Sequence, residues 1–371
     1  VTGPERGAAV GLGARLDAGR LTRLLDHVFD STGRAGRGTP VCVWGTHGLG
    51  KTMLIEDMAA ERGWQFAYCA PAQFEEMGDL HGLPRHERRD GRDVTVFAPP
   101  SWVPTAEGPG ILLLDDINRA DDRILRGLMQ LLANFEMVSW RLPPRWHIVA
   151  TANPEGADYS VTPMDDAILT RMLHTTLVFD AQAWARWATR ADVDPRGIAF
   201  VLSYPETVTG RRTTPRSLTQ FFAQIAGIAD LKRDIDLVSW LARATLDEST
   251  VGALVAFVNE DLHELIDPRE ILDAPRWPMV ATRIDALAGS AGSRRVDRLS
   301  TVCTRLFLAL VQDQVPLSDH QATNLVSFLT HPALPNDLRV ALHRDLIRDA
   351  GAPVAEAMRD KRLATFLVDA M

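Results

Sequence analysis

The run Val41-Cys42-Val43-Trp44 passes directly into Gly45-Thr46-His47-Gly48-Leu49-Gly50-Lys51-Thr52, and this junction constrains the fold more than any other stretch. A β-branched apolar segment reads as a buried strand, and Met53-Leu54-Ile55-Glu56 beyond the turn reads as the start of a helix. The turn fits the pattern G-x-x-x-x-G-K-[ST], a loop whose backbone N–H groups cradle phosphate. Gly45, Gly48 and Gly50 are expected to take positive φ so that those groups turn inward. The helix that follows adds free N–H donors and the positive end of its dipole. Lys51 offers a point charge to terminal phosphates and Thr52 a hydroxyl to Mg²⁺. Lys51, Lys232 and Lys361 are the only lysines in the chain, which elsewhere uses arginine, so a lysine kept at this place is informative.

With 371 residues the chain has room for two or three domains. Hydrophobic content of 46% and charged content of 24% are those of an ordinary globular protein. A formal charge of −8 argues against a general nucleic-acid binder, while leaving room for a local basic stripe. Cys42, Cys69 and Cys303 are far apart, and the first two sit in apolar stretches, as buried thiols do in a reducing compartment. No zinc-type spacing occurs. Val1 to Arg15 has no apolar core of signal-peptide type, and no apolar run is long enough to span a bilayer. A cytoplasmic protein is expected.

Leu21, Leu24, Leu25, Val28 and Phe29 have helical spacing, and a polar, glycine-rich connection from Ser31 to Pro40 follows. The P-loop helix is predicted from Lys51 to about Arg62, stopped by Gly63, with a short strand over Trp64 to Cys69. Asp90-Gly91 between extended, mixed flanks predicts a projecting β-hairpin with a charged tip, with a plain surface loop as the alternative.

Ile111-Leu112-Leu113-Leu114 is a continuous apolar run that ends in Asp115-Asp116, the pattern of a buried parallel strand. Ligands of open α/β sheets lie beyond the carboxyl ends of such strands. Asp115 is placed to hold Mg²⁺, and Asp116 to orient or deprotonate water. A helix N-cap role is the alternative for both. Arg145 to Ala152 reads as another buried strand, ending in Asn153, which either reaches a terminal phosphate or water or serves as a turn residue before Pro154. Thr162 to Met172 is predicted helical, Leu173 to Phe179 a fifth strand, and Ala181 to about Leu262 helical. Thr214-Pro215-Arg216 starts one of those helices, with Thr at the cap and Pro in the first turn. The predicted division is 1–180, 181–265 and 266–371, the last built of helices with core-facing stripes such as Leu299, Val302, Cys303, Leu306 and Leu310.

The succession of P-loop, acid-ended strand, Asn-ended strand and Arg helix resembles the AAA+ ATPases. Leu113 to Ala120, Ala150 to Pro154 and Thr214 to Arg216 are similar to the acid strand, first sensor and second sensor of MoxR-like members, which belong to the dynein-related group. Asp79 to Pro84 and Pro99 to Pro104 add to the likeness, which spans roughly Gly11 to Asp230. It implies an α/β P-loop AAA+ domain with a five-stranded parallel sheet, then a helical lid, followed here by an all-α C-terminal region. It further implies ATP and Mg²⁺ as ligands, and a homo-oligomeric ring, usually of six subunits. Asp116 and Asn153 would act beside the nucleotide, Arg216 would touch its γ-phosphate in cis, and Arg171 would reach a neighbour's ATP. The hairpin would be the helix-2 insert facing the pore. Relatives often remodel or mature a protein client alongside a von Willebrand factor A domain partner. Asp116 departs from the usual Glu by one methylene. That departure keeps open a nucleotide-gated scaffold with weak hydrolysis, and the arginines at 85, 88, 89 and 92 keep open a nucleic-acid-directed motor.

Overall fold

The computed structural model describes residues 12–31, 38–154, 161–259, 265–289, 295–313 and 317–363. The chain forms two compact units, Val1–Phe179 and Asp180–Met371. The predicted division at 265/266 falls within the second of these. Most of the N-terminal stretch, and residues 32–37 of the glycine-rich connection, lie outside the described residues.

The first unit runs β1 (Ala14–Leu16), α1 (Ala18–Asp30), β2 (Val41–Trp44), α2 (Lys51–Glu61), β3 (Gln65–Cys69), α3 (Met77–His81), β4 (Leu83–Arg89), β5 (Arg92–Ala98), β6 (Gly110–Leu114), α4 (Asp122–Asn134), β7 (Trp146–Ala152), α5 (Asp166–Leu169) and β8 (Leu173–Leu177). Six strands form one parallel sheet in the order β1-β8-β2-β7-β6-β3. The five predicted strands are all present, and β1 extends them at one edge. Three residues are too few to show alternation, so β1 was not legible as a strand. Its place is set by pairing with β8, where Gly13 at φ 74 lies so close that a Cβ would meet the His174 carbonyl oxygen at 1.9 Å.

The strands β2, β6 and β7 are buried along their whole length, and their pleat divides the core in two. Val41, Val43, Ile111, Leu113 and Val149 face α1 and α2, packing on Leu21, Leu25, Ile55 and Met58. Cys42, Trp44, Leu112, Leu114, Ala150 and Ala152 face the other way, toward Ile124, Leu125, Leu128 and Leu132 of α4. Burial pushes the Cys69 thiol up to about 12 and that of Cys42 higher still, so both stay protonated.

The hairpin forms as predicted. β4 and β5 pair antiparallel around Asp90 and Gly91, both at positive φ, the geometry of a tight two-residue turn. The predicted helix over 162–172 shrinks to α5. Thr162 is instead tied to the Asn118 and Ala120 carbonyls at 2.8 Å, Pro163 disfavours helical backbone before it, and Asp165 caps the short helix that remains.

The second unit contains α6 (Ala181–Arg190), α7 (Pro195–Ser203), α8 (Pro215–Ile225), α9 (Ile235–Thr245), α10 (Glu248–Asn259), α11 (Pro268–Leu272), α12 (Trp277–Ala288), α13 (Val296–Asp313), α14 (Asp319–Leu329), α15 (Asn336–Asp349) and α16 (Gly351–Ala357). α13 packs on α6, α7 and α15 and buries Leu299, Val302, Cys303, Leu306 and Leu310. Among the described residues no helix is long and apolar enough to cross a membrane.

At the amino end of β7, His147 is 5% exposed, stacked on Trp64 (5.4 Å between centroids, 12° between planes) and tilted against Phe29. Arg62 lies over the Trp64 ring and pairs with Asp26. Burial, and next the Arg62 charge, hold the imidazole down at about 4. The unfolded chain therefore binds a proton in a range where the folded chain does not. Stability is full above about pH 6.5 and falls as the pH drops from there toward about 4. The loss from this one buried group is expected to be about 2–3 kcal/mol. Urea denaturation of the wild type and His147→Phe across that range checks this. The difference between them is expected to shift in favour of the variant as the pH falls, and pH-independence of that difference would contradict the assignment.

Candidate active site

The pleat that divides the core also sorts the polar residues at the carboxyl edge of the sheet. Continuing the alternation past Leu113 and Val149 puts Asp115, Thr151 and Asn153 on the α2 side, and Tyr68 joins them two residues after Phe66. Asp115 is held in line with β3 by its N–H, which donates to the Cys69 carbonyl at 2.8 Å.

The loop from Gly45 is tied to β7 by the Gly45 N–H, donating to the Ala152 carbonyl at 3.1 Å. Gly48 (φ 72) and Gly50 (φ 88) take the left-handed backbone expected of them. Gly45 does not, a correction to the sequence reading. Its lack of a side chain serves close approach instead, since a Cβ there would lie 3.2 Å from both the Leu177 carbonyl oxygen and Leu49 Cδ1. Thr46 and His47 are exposed at the loop tip, while Gly48 is buried. Gly50 is the N-cap of α2, so the N-terminus of that helix opens on the loop.

Lys51 is 6% exposed. Its Nζ donates to the Gly45 carbonyl at 2.7 Å, the Thr46 carbonyl at 3.2 Å and Asn153 Oδ1 at 3.3 Å. A desolvated ammonium in the first turn of a helix is suited to accept an anion. One residue on, the Thr52 hydroxyl donates to Asp115 Oδ1 at 2.9 Å. The Thr151 hydroxyl donates to the same oxygen at 2.6 Å while accepting from the Asp116 N–H at 2.8 Å. Tyr68 donates to Asp115 Oδ2 at 3.1 Å. Partial burial and then the Asp115 charge push the Tyr68 phenol up to about 12, which keeps it a donor.

Asp116 sits in left-handed backbone at φ 49. Asn153 Nδ2 donates to its Oδ1 at 2.9 Å, and Arg119 Nε stands 3.3 Å from its Oδ2. It occupies the cap position of the short 3₁₀ turn Ile117–Arg119, yet its side chain makes no capping hydrogen bond there. Asn118 is fully buried and grips the Asn153 backbone from both ends, donating from Nδ2 to its carbonyl at 2.7 Å and accepting from its N–H at 3.0 Å. Lys51, Thr52, Asp115, Asp116 and Asn153 thus form one hydrogen-bonded group.

Arg171 stands apart from that group, in the turn after α5. It donates to the Ala167 carbonyl, and its Nε is buried without a hydrogen-bond partner among the described residues. Arg216 belongs to the second unit and is exposed in the first turn of α8. That helix starts as predicted, with Thr214 and Ser217 exchanging capping hydrogen bonds. The preceding loop is pinned by Asp247, which accepts from the Arg212 and Thr213 N–H groups at 2.9 and 2.7 Å.

Tyr68, Thr151, Asn118 and Arg119 were not given roles from sequence. Asn118 had a visible signal, a polar residue between Ile117 and Ala120 in an otherwise apolar-facing turn. Tyr68 had none, because its role depends on β3 lying beside β6.

Residues 40–172 match the profile of the AAA domain (dynein-related subfamily). Of the candidate site residues read from the sequence, all but Arg216 fall inside that segment. No match is found among curated proteins. Among solved structures, the Thermotoga maritima RuvB Holliday junction branch migration motor is 19% identical, with 83% of this chain and 93% of that one covered and a TM-score of 0.36. A putative ATPase from Cytophaga hutchinsonii is 14% identical, with 94% and 88% covered and a TM-score of 0.33. NtrX from Brucella abortus, in complex with ADP, is 13% identical, with 89% and 68% covered and a TM-score of 0.37. The fold is the parallel-sheet P-loop AAA+ fold with a helical C-terminal region, and the match over residues 40–172 likens the segment that carries this site to AAA domains.

Asn118→Leu removes two hydrogen bonds and leaves the Asn153 N–H and carbonyl unpaired in a buried place. A loss of about 2–4 kcal/mol is expected for the first unit by urea unfolding. A loss under about 0.5 kcal/mol would show that Asn118 does not brace the strand end.

Proposed function

We propose that this chain binds and hydrolyses Mg-ATP as a MoxR-like AAA+ ATPase that assembles into a ring, most simply a hexamer, and remodels or matures a protein client. The observation that carries the reading is the continuity from Lys51 through Asn153 to Asp116. A group suited to terminal phosphates is coupled by one amide side chain to a carboxylate suited to the attacking water. Thr52 and Asp115 supply hard oxygen donors 2.9 Å apart, a set that fits Mg²⁺. Among the described residues no group of three or more His, Cys, Asp or Glu could hold a metal, so the remaining ligands would be phosphate oxygens and water. Mg²⁺ bound there would neutralise charge on the phosphates.

In this reading the Lys51 ammonium exchanges its carbonyl partners for phosphate oxygens. Asn153 and Asp116 orient water, and Arg216 contacts the γ-phosphate from the lid in cis. Arg171 completes a neighbouring subunit's site, which makes hydrolysis depend on assembly. The wording of the motifs supports the MoxR-like subtype and, with it, a von Willebrand factor A domain protein as partner. The hairpin supports a pore-facing insert.

A second reading, a nucleotide-gated scaffold with weak hydrolysis, is favoured by Asp116. Its carboxylate is short and already engaged by Asn153 and Arg119. A nucleic-acid-directed motor is less well supported, because Glu87 lies between Arg85 and Arg89 at 3.1 and 2.9 Å and takes up part of the hairpin's positive charge.

Lys51→Ala is expected to weaken ATP binding by at least about 100-fold in equilibrium titrations. Arg171→Ala is expected to keep ATP affinity and lose about 1,000-fold in steady-state hydrolysis. Normal turnover by Arg171→Ala would remove it from the mechanism. Asp116→Glu separates the two readings. Faster multiple turnover than wild type supports the scaffold, and equal or slower turnover supports the ATPase.

A further inference from the structure

We propose that Tyr68 is a positioning residue for Asp115, and that it biases the site toward a divalent ion that takes only one oxygen of that carboxylate. This rests on the nucleotide-site reading above and adds a residue and a selectivity to it.

Tyr68 is the penultimate residue of the edge strand β3 and is 46% exposed. Packing alone gives no reason for a hydroxyl there, since Phe would cover the same surface. The hydroxyl's partner is Asp115 Oδ2, at 3.1 Å. The other oxygen, Oδ1, receives Thr52 at 2.9 Å and Thr151 at 2.6 Å. Carboxylate torsions are broad and nearly two-fold, so hydrogen bonds to one oxygen leave the group free to swing about it. A donor on the second oxygen stops that motion and keeps Oδ1 turned toward Thr52. Residues that orient metal ligands in this way typically carry about tenfold or more of metal affinity.

The same hydrogen bond has a consequence for the ion. Mg²⁺ demands near-octahedral geometry and takes single oxygens at short range, whereas Ca²⁺ accepts carboxylates bidentately. With Oδ2 occupied by the Tyr68 hydroxyl, a bidentate approach to Asp115 requires that bond to break. An approach through Oδ1 alone, direct or through water, does not.

The test is the anisotropy of a fluorescent ATP analogue on the full chain, titrated with Mg²⁺, with Ca²⁺ and in EDTA, for wild type and Tyr68→Phe. The variant is expected to bind the analogue in EDTA within about twofold of wild type. Its half-maximal Mg²⁺ concentration is expected to rise about tenfold, and its preference for Mg²⁺ over Ca²⁺ to shrink by about fivefold or more. Unchanged Mg²⁺ and Ca²⁺ midpoints would overturn the proposal. So would an equal loss with and without metal, which would make Tyr68 a nucleotide or structural contact. If wild type bound no analogue under any of the three conditions, the nucleotide-site reading itself would fall, and this inference with it.

Discussion

A charged ammonium group lies almost out of reach of water at the carboxyl edge of a parallel sheet, and much of the first unit follows from what is needed to keep it there. Removing an ammonium from water is costly unless oxygens replace the lost hydration. Lys51 obtains them from the Gly45 and Thr46 carbonyls and from Asn153, so the loop has to fold back over its own lysine. That geometry requires left-handed backbone at Gly48 and Gly50 and bare backbone at Gly45 against Leu177. It also requires a fixed Asn153, which is why the buried Asn118 holds both backbone groups of that residue. These oxygens take the place of the hydration that the buried ammonium gives up.

The acids are placed by a second constraint, the two-residue period of a strand. β3, β6 and β7 run parallel, so residues at and just beyond their carboxyl ends fall near one another. Asp115, Thr151 and Tyr68 project to the α2 side, where Thr52 lies in the first turn of that helix, whereas Asp116 is turned aside by its left-handed backbone. A one-residue slip of β6 would exchange the two acids and bury Asp115 against α4. The pairing register of β6 with β3 and β7 therefore keeps Asp115 and Asp116 on different sides of the strand end.

The strands β2, β6 and β7 were legible because each is a short, uninterrupted apolar run between turn residues, and the P-loop because its spacing has few other uses. The hairpin was legible from Asp90-Gly91 and the extended segments on either side of it. Three features were not. β1 is too short to carry a pattern and exists by pairing with β8. The helix over 162–172 failed because Thr162 bonds to Asn118 and Ala120, partners more than forty residues earlier that outweigh local propensity. Tyr68 lacks any local signal, since its meaning comes from the neighbour that the sheet order gives it. Positions defined by chain-local chemistry could thus be read from sequence, and those defined by adjacency in the sheet could not. Arg171 and Arg216 carry only the positions assigned to them by resemblance. The structure places one in a turn after α5 and the other at the capped start of α8.

The polar group around Lys51 is proposed to recognise the phosphate tail of a nucleotide. Competition measures this most directly. The purified chain, saturating Mg²⁺ and ATP in a calorimetric titration should give a saturable single site per chain, displaced by ADP far more effectively than by AMP, because the loop and lysine address the phosphates beyond the first. Absence of saturation at millimolar ATP, or displacement by AMP as effective as by ADP, would contradict the account.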